Sequence, residues 1–139
     1  MENILQAVNA NALGFAASYV ALLALLSIAL AYHVIRGRYK FQVGLGDGGE
    51  KDLNRRIRAH GNYSEYAPLI MALLILLPLV GAKEWMVHLV GLTGLVGRIS
   101  HAIGLSGSAG PSIGRAAGMM LTFTSIVSGA ALLLFLAWH

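Results

Sequence analysis

The sequence predicts an all-α integral membrane protein, a bundle of four transmembrane helices in a single domain. Of its 139 residues, 57% are apolar and only 12% are charged, whereas about a quarter of the residues of a soluble domain are charged. Four apolar segments approach the ~20 residues that a helix needs to cross a bilayer. They are residues 12–35, 66–82, 85–96 extended past Arg98, and 116–138. Residues 1–139 therefore leave no room for a separate soluble domain.

Basic residues cluster beside the first and third connections between these helices. The first connection and its flanks carry Arg36, Arg38, Lys40, Lys51, Arg55, Arg56 and Arg58. Arg115 follows the third connection, whereas the second has only Lys83. By the positive-inside rule, this asymmetry predicts that the first and third connections are cytoplasmic and that both termini lie outside. The basic charge is thus an orientation signal and a lipid-headgroup contact, and we predict no nucleic-acid partner.

The chain contains no cysteine. This excludes a disulfide, a thiolate nucleophile and a thiolate metal ligand, so any sulfur chemistry must come from a bound thiol. We predict no metal site. The first apolar run is longer than the core of a signal peptide and lacks a basic segment before it, so we interpret it as a retained helix.

Helix boundaries follow from apolar periodicity and breaker residues. We predict helices at about 12–39, 52–79 and 84–104, and a fourth that starts at Pro111 or Ser112 after a short loop. Four glycines within residues 44–49 indicate a tight loop, and Asp52 is predicted to cap the second helix. Pro68 should kink that helix. Gly91, Gly94 and Gly97 should let two helices approach closely.

Charged residues continue into the start of the second apolar helix. Spacings of three, four and three put Arg55, Arg58, Asn62 and Glu65 on one helix face. A carboxylate at membrane depth costs several kcal/mol unless it meets a partner or a polar cavity. Glu65 is therefore either part of a binding site or the partner of Arg58 or Arg98 in a contact that locks two helices together.

The segment RAHGNYSEYAP at 58–68 resembles the second-helix signature of the membrane-associated proteins in eicosanoid and glutathione metabolism, the MAPEG family. The match includes Arg58, His60, Asn62 and Glu65 and the proline that follows them. The length, the four apolar segments and a third segment with Arg98 and His101 agree with it. The chain looks most like small bacterial members similar to microsomal glutathione transferases, which implies a multi-pass protein of a bacterial inner membrane.

The resemblance implies a homotrimer that binds glutathione as a co-substrate, together with a lipophilic small-molecule substrate from the membrane. The implied glutathione-binding residues are Arg58, Asn62, Glu65, Tyr66, Arg98 and His101, assisted by Arg55, by Arg36 or Arg38, and by His60 from a neighbouring subunit. Arg115 matches the family's helix-four arginine that holds the thiolate, and so carries the implied catalytic role. Leu105 stands where relatives often have a tyrosine.

The predicted cluster contains more cations than anions, and this composition suits a ligand with two carboxylates and one ammonium. Glutathione has that charge pattern, as do other dicarboxylates.

The predicted function is a glutathione transferase or peroxidase that activates the thiol as a thiolate. The alternative is a non-catalytic membrane ligand-binding or scaffold protein of the same fold. A pore is disfavoured because the polar residues gather at one side. Met119 is interpreted as an apolar filler.

Overall fold

The structure, a computed structural model, describes residues 8–107 and 110–138. In these residues it contains four helices, which are α1 (Ala10–Phe41), α2 (Lys51–Leu79), α3 (Glu84–Gly107) and α4 (Ile113–Trp138). All four are long and apolar enough to cross a membrane, so the predicted all-α membrane fold is confirmed. The homotrimer stays a prediction.

Contacts between the helices show in which direction each helix runs. Asn9 donates its backbone N–H to the carbonyl of Pro78 at 3.3 Å, and Arg56 donates to the carbonyl of His33 at 3.3 Å. These contacts make α1 and α2 antiparallel. The connection between α1 and α2 and that between α3 and α4 therefore lie at one end, which we call the basic end. The far end holds the start of α1 and the α2–α3 connection.

Two helices extend further than the sequence predicts. α1 is longer by two residues at each end, and α3 continues to Gly107 instead of ending near Gly104. The helix continues past Gly104, and this glycine allows α3 to pack closely against α4. A Cβ on Gly104 would lie 2.7 Å from the backbone nitrogen of Arg115. Ser108 and Ala109, part of the predicted loop, lie outside the described residues.

The predicted capping role of Asp52 is wrong. The N-cap of α2 is Glu50, whose side chain makes no capping hydrogen bond. Asp52 lies inside the first turn and pairs with Arg55 at 3.3 Å and Arg56 at 2.8 Å. An acidic residue in the first turn is stabilised by the helix dipole, and two arginines within one turn make it an ion-pair partner.

The loop predicted at 44–49 is present and is held by side chains at both edges. Arg38 donates to the carbonyls of Gly44 at 3.2 Å and Gly46 at 3.0 Å. Asp47 accepts from the Gly49 N–H at 3.0 Å and from Asn54 at 2.5 Å. These two hydrogen bonds, the Gly49 bond foremost, hold the pKa of the Asp47 carboxyl below its usual value.

The interior has an apolar part and a polar part. Leu23, Ile70, Leu74 and Val87 belong to a core shared by α1, α2 and α3. The four buried polar or charged side chains that are described lie instead on α3 and α4; they are Arg98, His101, Thr122 and Ser125. The buried polar side chains thus lie at the interface between α3 and α4, and this interface positions the candidate site.

Candidate functional site

Arg98 is the central residue of the candidate site. Its side chain lies inside the bundle, and the residue is only 1% exposed. Nε donates to the Thr122 hydroxyl at 2.9 Å, and NH1 donates to the side-chain oxygen of Asn62 at 2.9 Å. The Tyr66 ring lies against the guanidinium, with its centroid 5.2 Å from the Arg98 Cζ. Arg98 on α3 is thereby joined to α2 and α4.

The remaining terminal nitrogen of Arg98 meets a weak acceptor. Its NH2 group lies 3.4 Å from the Met119 sulfur, and a thioether accepts hydrogen bonds poorly. In the described part of the chain, ion pairs within 4.0 Å join only Arg55 and Arg56 to Asp52. Arg98 is thus surrounded by neutral acceptors, and a buried cation in such surroundings is stabilised by any anion that reaches it.

Asn62 extends the network toward Glu65. Its side-chain nitrogen lies 3.4 Å from a Glu65 carboxylate oxygen, while its side-chain oxygen accepts from Arg98. Glu65 is exposed and forms no ion pair with Arg58 or Arg98 within 4.0 Å. The interpretation of Glu65 as a direct lock between helices is therefore wrong; Asn62 makes that contact.

A cavity of about 520 Å³ lies beside the Arg98 cluster. Its lining consists of His101, Pro111, Ser112, Arg115, Ala116 and Met119. Arg115 donates to the Gly110 carbonyl at 2.9 Å, and its backbone N–H donates to the Ser112 hydroxyl at 3.3 Å. Met119 lines the cavity and also contacts Arg98, so its side chain stands between the buried guanidinium and the open space.

Close backbone contact fixes the spacing of these groups. A Cβ on Gly118 would lie 2.5 Å from the His101 nitrogen, and one on Gly97 would lie 2.9 Å from the Thr122 nitrogen. Only glycine fits where two helix backbones touch in this way. The predicted role of Gly97 in close packing is confirmed. His101 and Arg98 are consequently held at a set distance from α4.

The structure brings together only part of the predicted site. Asn62, Tyr66 and Arg98 are in contact, and His101 and Arg115 share the cavity. Five other predicted residues neither line this cavity nor hydrogen-bond to Arg98 in the described part of the chain; they are Arg36, Arg55, Arg58, His60 and Glu65. Arg58 and Arg36 are exposed, His60 is half-buried, and Arg55 pairs with Asp52.

Sequence reasoning missed two partners of Arg98, which are Thr122 and Met119. The interpretation of Met119 as a filler is wrong because its sulfur faces the guanidinium. A signal for both was present in the spacing. Positions 115, 119 and 122 are i, i+4 and i+7 of one helix face, so the face that carries Arg115 also carries these two residues.

Comparisons with known proteins agree with this architecture. The model of the MAPEG family matches residues 16–135. The inner membrane protein YecN of Escherichia coli strain K12 is 41% identical over 88 residues, which cover 63% of this chain and 67% of that protein. YecN of Escherichia coli O6:H1 matches equally well. The resemblance noted in the sequence is thereby confirmed, and this multi-pass membrane protein belongs to the MAPEG family.

Proposed function

We propose that this protein is a homotrimeric membrane transferase that binds glutathione at the basic end and activates its thiol as a thiolate. The observation that carries the proposal is the cavity lined by His101 and Arg115 beside the buried Arg98. One guanidinium and an imidazole line it, no carboxylate is among its described lining residues, and the Arg98 guanidinium lies behind Met119. Such a site favours an anion, and a thiolate and two carboxylates are the anions of bound glutathione.

One arginine is sufficient for thiol activation. A free thiol with a pKa near 8.5 is about 3% ionised at neutral pH. A guanidinium about 4 Å away contributes about 4 kcal/mol at an effective dielectric constant near 20. That energy would lower the pKa of the thiol by about 3 before desolvation is subtracted. Arg115 is proposed for this role because it lines the cavity directly.

The proposed reactions consume only glutathione and the lipophilic acceptor. The thiol proton leaves to water, and the thiolate attacks an electrophilic carbon of a lipophilic acceptor, so that a C–S bond forms and the leaving group departs as an anion. With a hydroperoxide, the thiolate attacks oxygen and the O–O bond breaks, which gives an alcohol and glutathione sulfenic acid. A second glutathione then yields the disulfide and water.

A neighbouring subunit would complete the site. Arg58 and Glu65 are exposed in the single chain and lie on the same face of α2 as Asn62. Assembly of a trimer would bring this face, with His60, against another subunit, where Glu65 would take the ammonium of glutathione. Arg55 and Arg36 would add positive charge at the rim.

The first experiment measures thiolate formation by ultraviolet absorbance and product formation with an activated aryl chloride, in detergent. We expect Arg115→Ala to abolish thiolate formation while glutathione still binds, and Glu65→Gln to weaken binding at least tenfold. Lys83→Ala, which removes an exposed cation at the far end, is the matched control and should change neither. If Arg115→Ala leaves thiolate formation intact, the catalytic assignment is wrong.

One observation favours the second candidate, a ligand-binding or scaffold protein without turnover. Arg98 already has hydrogen-bond partners on α2 and α4, as a purely structural residue would. The same measurements separate the two candidates. Binding of glutathione without thiolate absorbance or thioether product would favour the scaffold.

We further propose an inner-membrane location with both termini outside the cytoplasm. The inner-membrane description of YecN and the basic connections support this. Because the native chain has no cysteine, single cysteines at Leu45, which is 90% exposed, and at Lys83 can be labelled without background. In intact cells, an impermeant maleimide should label position 83 and spare position 45. The reverse pattern would overturn the orientation.

A further inference from the structure

A groove at the far end lies outside the proposed glutathione site. It has a volume of about 480 Å³ between the start of α1 and the start of α3. Its lining consists of Ala10, Asn11, Gly14, Phe15, Ser18 and Glu84. Polar groups and an aromatic ring thus converge on one concave surface, which is the usual composition of a small-molecule site.

Glu84 supplies the only charge in the lining of this groove. It forms no ion pair within 4.0 Å with any cation in the described residues. Its position in the first turn of α3 is favourable for the helix dipole. The dipole explains why a carboxylate is tolerated there, but not why an aromatic ring and two polar side chains face the same space.

The wall of the groove is rigidly built. The Phe15 ring lies 4.5 Å from the His88 ring, measured between centroids. His88 Nδ1 is hydrogen-bonded to the Tyr19 hydroxyl at 3.0 Å, which links α3 to α1. A Cβ on Gly91 would lie 2.3 Å from the Tyr19 ring, so Tyr19 fits only because residue 91 is glycine. Phe15 is therefore backed by an ordered pair of rings.

We propose that this groove binds an amphiphile whose head is an ammonium group. Glu84 would form a charge-assisted hydrogen bond with the ammonium, and the Phe15 face would attract it by a cation–π interaction. Asn11 and Ser18 supply oxygen acceptors for the remaining N–H groups, and the apolar body would lie along the open surface beside Gly14. The described residues that line the groove include no cation to oppose such a ligand.

An ammonium head of this kind has two possible sources, a lipid with an ethanolamine headgroup and a free lipophilic amine. Both present the same chemistry to Glu84. They differ in that the lipid is part of the surrounding bilayer and would compete with an added amine. Lipid composition therefore separates the two sources in a single binding assay.

Trp85, next to Glu84, provides the readout. The chain has two tryptophans, so Trp138→Phe leaves Trp85 as its single tryptophan, which is excited selectively at long wavelength in nanodiscs of phosphatidylglycerol. The probe is 4-phenylbutylammonium, and its uncharged analogue 4-phenylbutanol is the control ligand. We expect a saturable change in Trp85 emission with the amine and none with the alcohol. Equal responses to both would show partition into lipid and would overturn the proposal.

Three variants test the residues. Glu84→Gln should weaken amine binding at least tenfold, whereas Glu50→Gln, the same change at the basic end, should not affect it. Gly14→Leu should abolish amine binding. The space around Gly14 is open, so the leucine side chain would fill the groove without a clash. Unchanged affinity in both Glu84→Gln and Gly14→Leu would overturn the proposal.

The remaining measurements identify the source and separate this site from the glutathione site. At a fixed phosphatidylglycerol fraction, so that the surface charge stays constant, replacing phosphatidylcholine by phosphatidylethanolamine should weaken amine binding if an ethanolamine headgroup is the natural occupant, and leave it unchanged if a free amine is. Both results support the ammonium site. Glu84→Gln should leave glutathione binding intact, so failure of one proposal does not decide the other.

Discussion

The two ends of the bundle satisfy their interior polar groups in different ways. At the far end, the half-buried rings of Tyr19 and His88 form one hydrogen bond between α1 and α3. At the basic end, Arg98 brings a full charge into the interior and needs partners from α2 and α4. Burying a charge costs far more than burying a neutral pair. A contact needed only to join helices would not require a guanidinium, and this difference is the reason that we propose the basic end as the ligand site.

The largest expected effect is at the contact between α3 and α4. Gly118→Ala places a Cβ 2.5 Å from the His101 nitrogen, and a backbone atom cannot move aside without shifting the helix. We expect the free energy of unfolding to fall by about 3 kcal/mol, measured by denaturation in mixed micelles. Gly14→Ala is the control, since its Cβ meets open space, and it should be neutral or stabilising by about 1 kcal/mol. Equal effects would contradict the close-packing argument.

A smaller effect is expected when Arg98 loses one partner. Thr122→Val removes the acceptor of Nε and leaves a buried charged donor unsatisfied, which costs about 1–2 kcal/mol of unfolding free energy. The same substitution at Thr124, which is exposed, serves as the control and should stay within about 0.5 kcal/mol. A Thr122→Val protein as stable as the native one would mean that the basic end does not depend on this charge.

The far end should respond less to loss of its hydrogen bond. Tyr19→Phe removes one half-buried side-chain hydrogen bond and should cost about 1 kcal/mol in the same denaturation assay. Tyr32→Phe, at a site that is 60% exposed, should be without effect. If Tyr19→Phe destabilises the protein more than Thr122→Val does, the contrast between the two ends is wrong.

The smallest effect is a local one with a defined pH dependence. Because the pKa of Asp47 is lowered in the folded loop, its carboxylate stabilises the loop at pH values above the ordinary aspartate pKa. That stabilisation is lost as the pH falls below about 3.9 and through the folded pKa. The protection factor of the Gly49 amide, which corrects for the intrinsic pH dependence of exchange, should fall over this range without a change in global unfolding. Asp47→Asn should remove the pH dependence, and persistence of the dependence would exclude Asp47 as its cause.

The sequence predicts more of the fold than of the site. Apolar segment lengths and glycine-rich loops give the four helices within a few residues, because spanning length and backbone satisfaction constrain them strongly. Periodicity also tells which residues share a helix face. It does not tell which face meets which neighbour. Thus Asn62 and Arg98 could be named, but the contacts of Arg98 with Asn62, Thr122 and Met119 required the relative placement of α2, α3 and α4.

The same limit explains the outcome at Asp52. An acidic residue at the start of a helix can cap the helix or form an ion pair with a residue one turn later. The local sequence favours neither role strongly. The arginines at positions 55 and 56 offer charged partners within one turn. The path of the preceding loop, which makes Glu50 the N-cap, then excludes the capping role.

The glycine contact between α3 and α4 fixes the relative position of these two helices, whereas α1 can be replaced without changing it. Arg98, His101 and Arg115 are borne on two helices whose backbones touch, so their mutual geometry survives changes elsewhere in the chain. α1 lies mostly outside that pair, and most of its side chains are exposed. A chimera that exchanges α1 between relatives would therefore keep the relative placement of Arg98, His101 and Arg115, and of the proposed glutathione site it would replace Arg36.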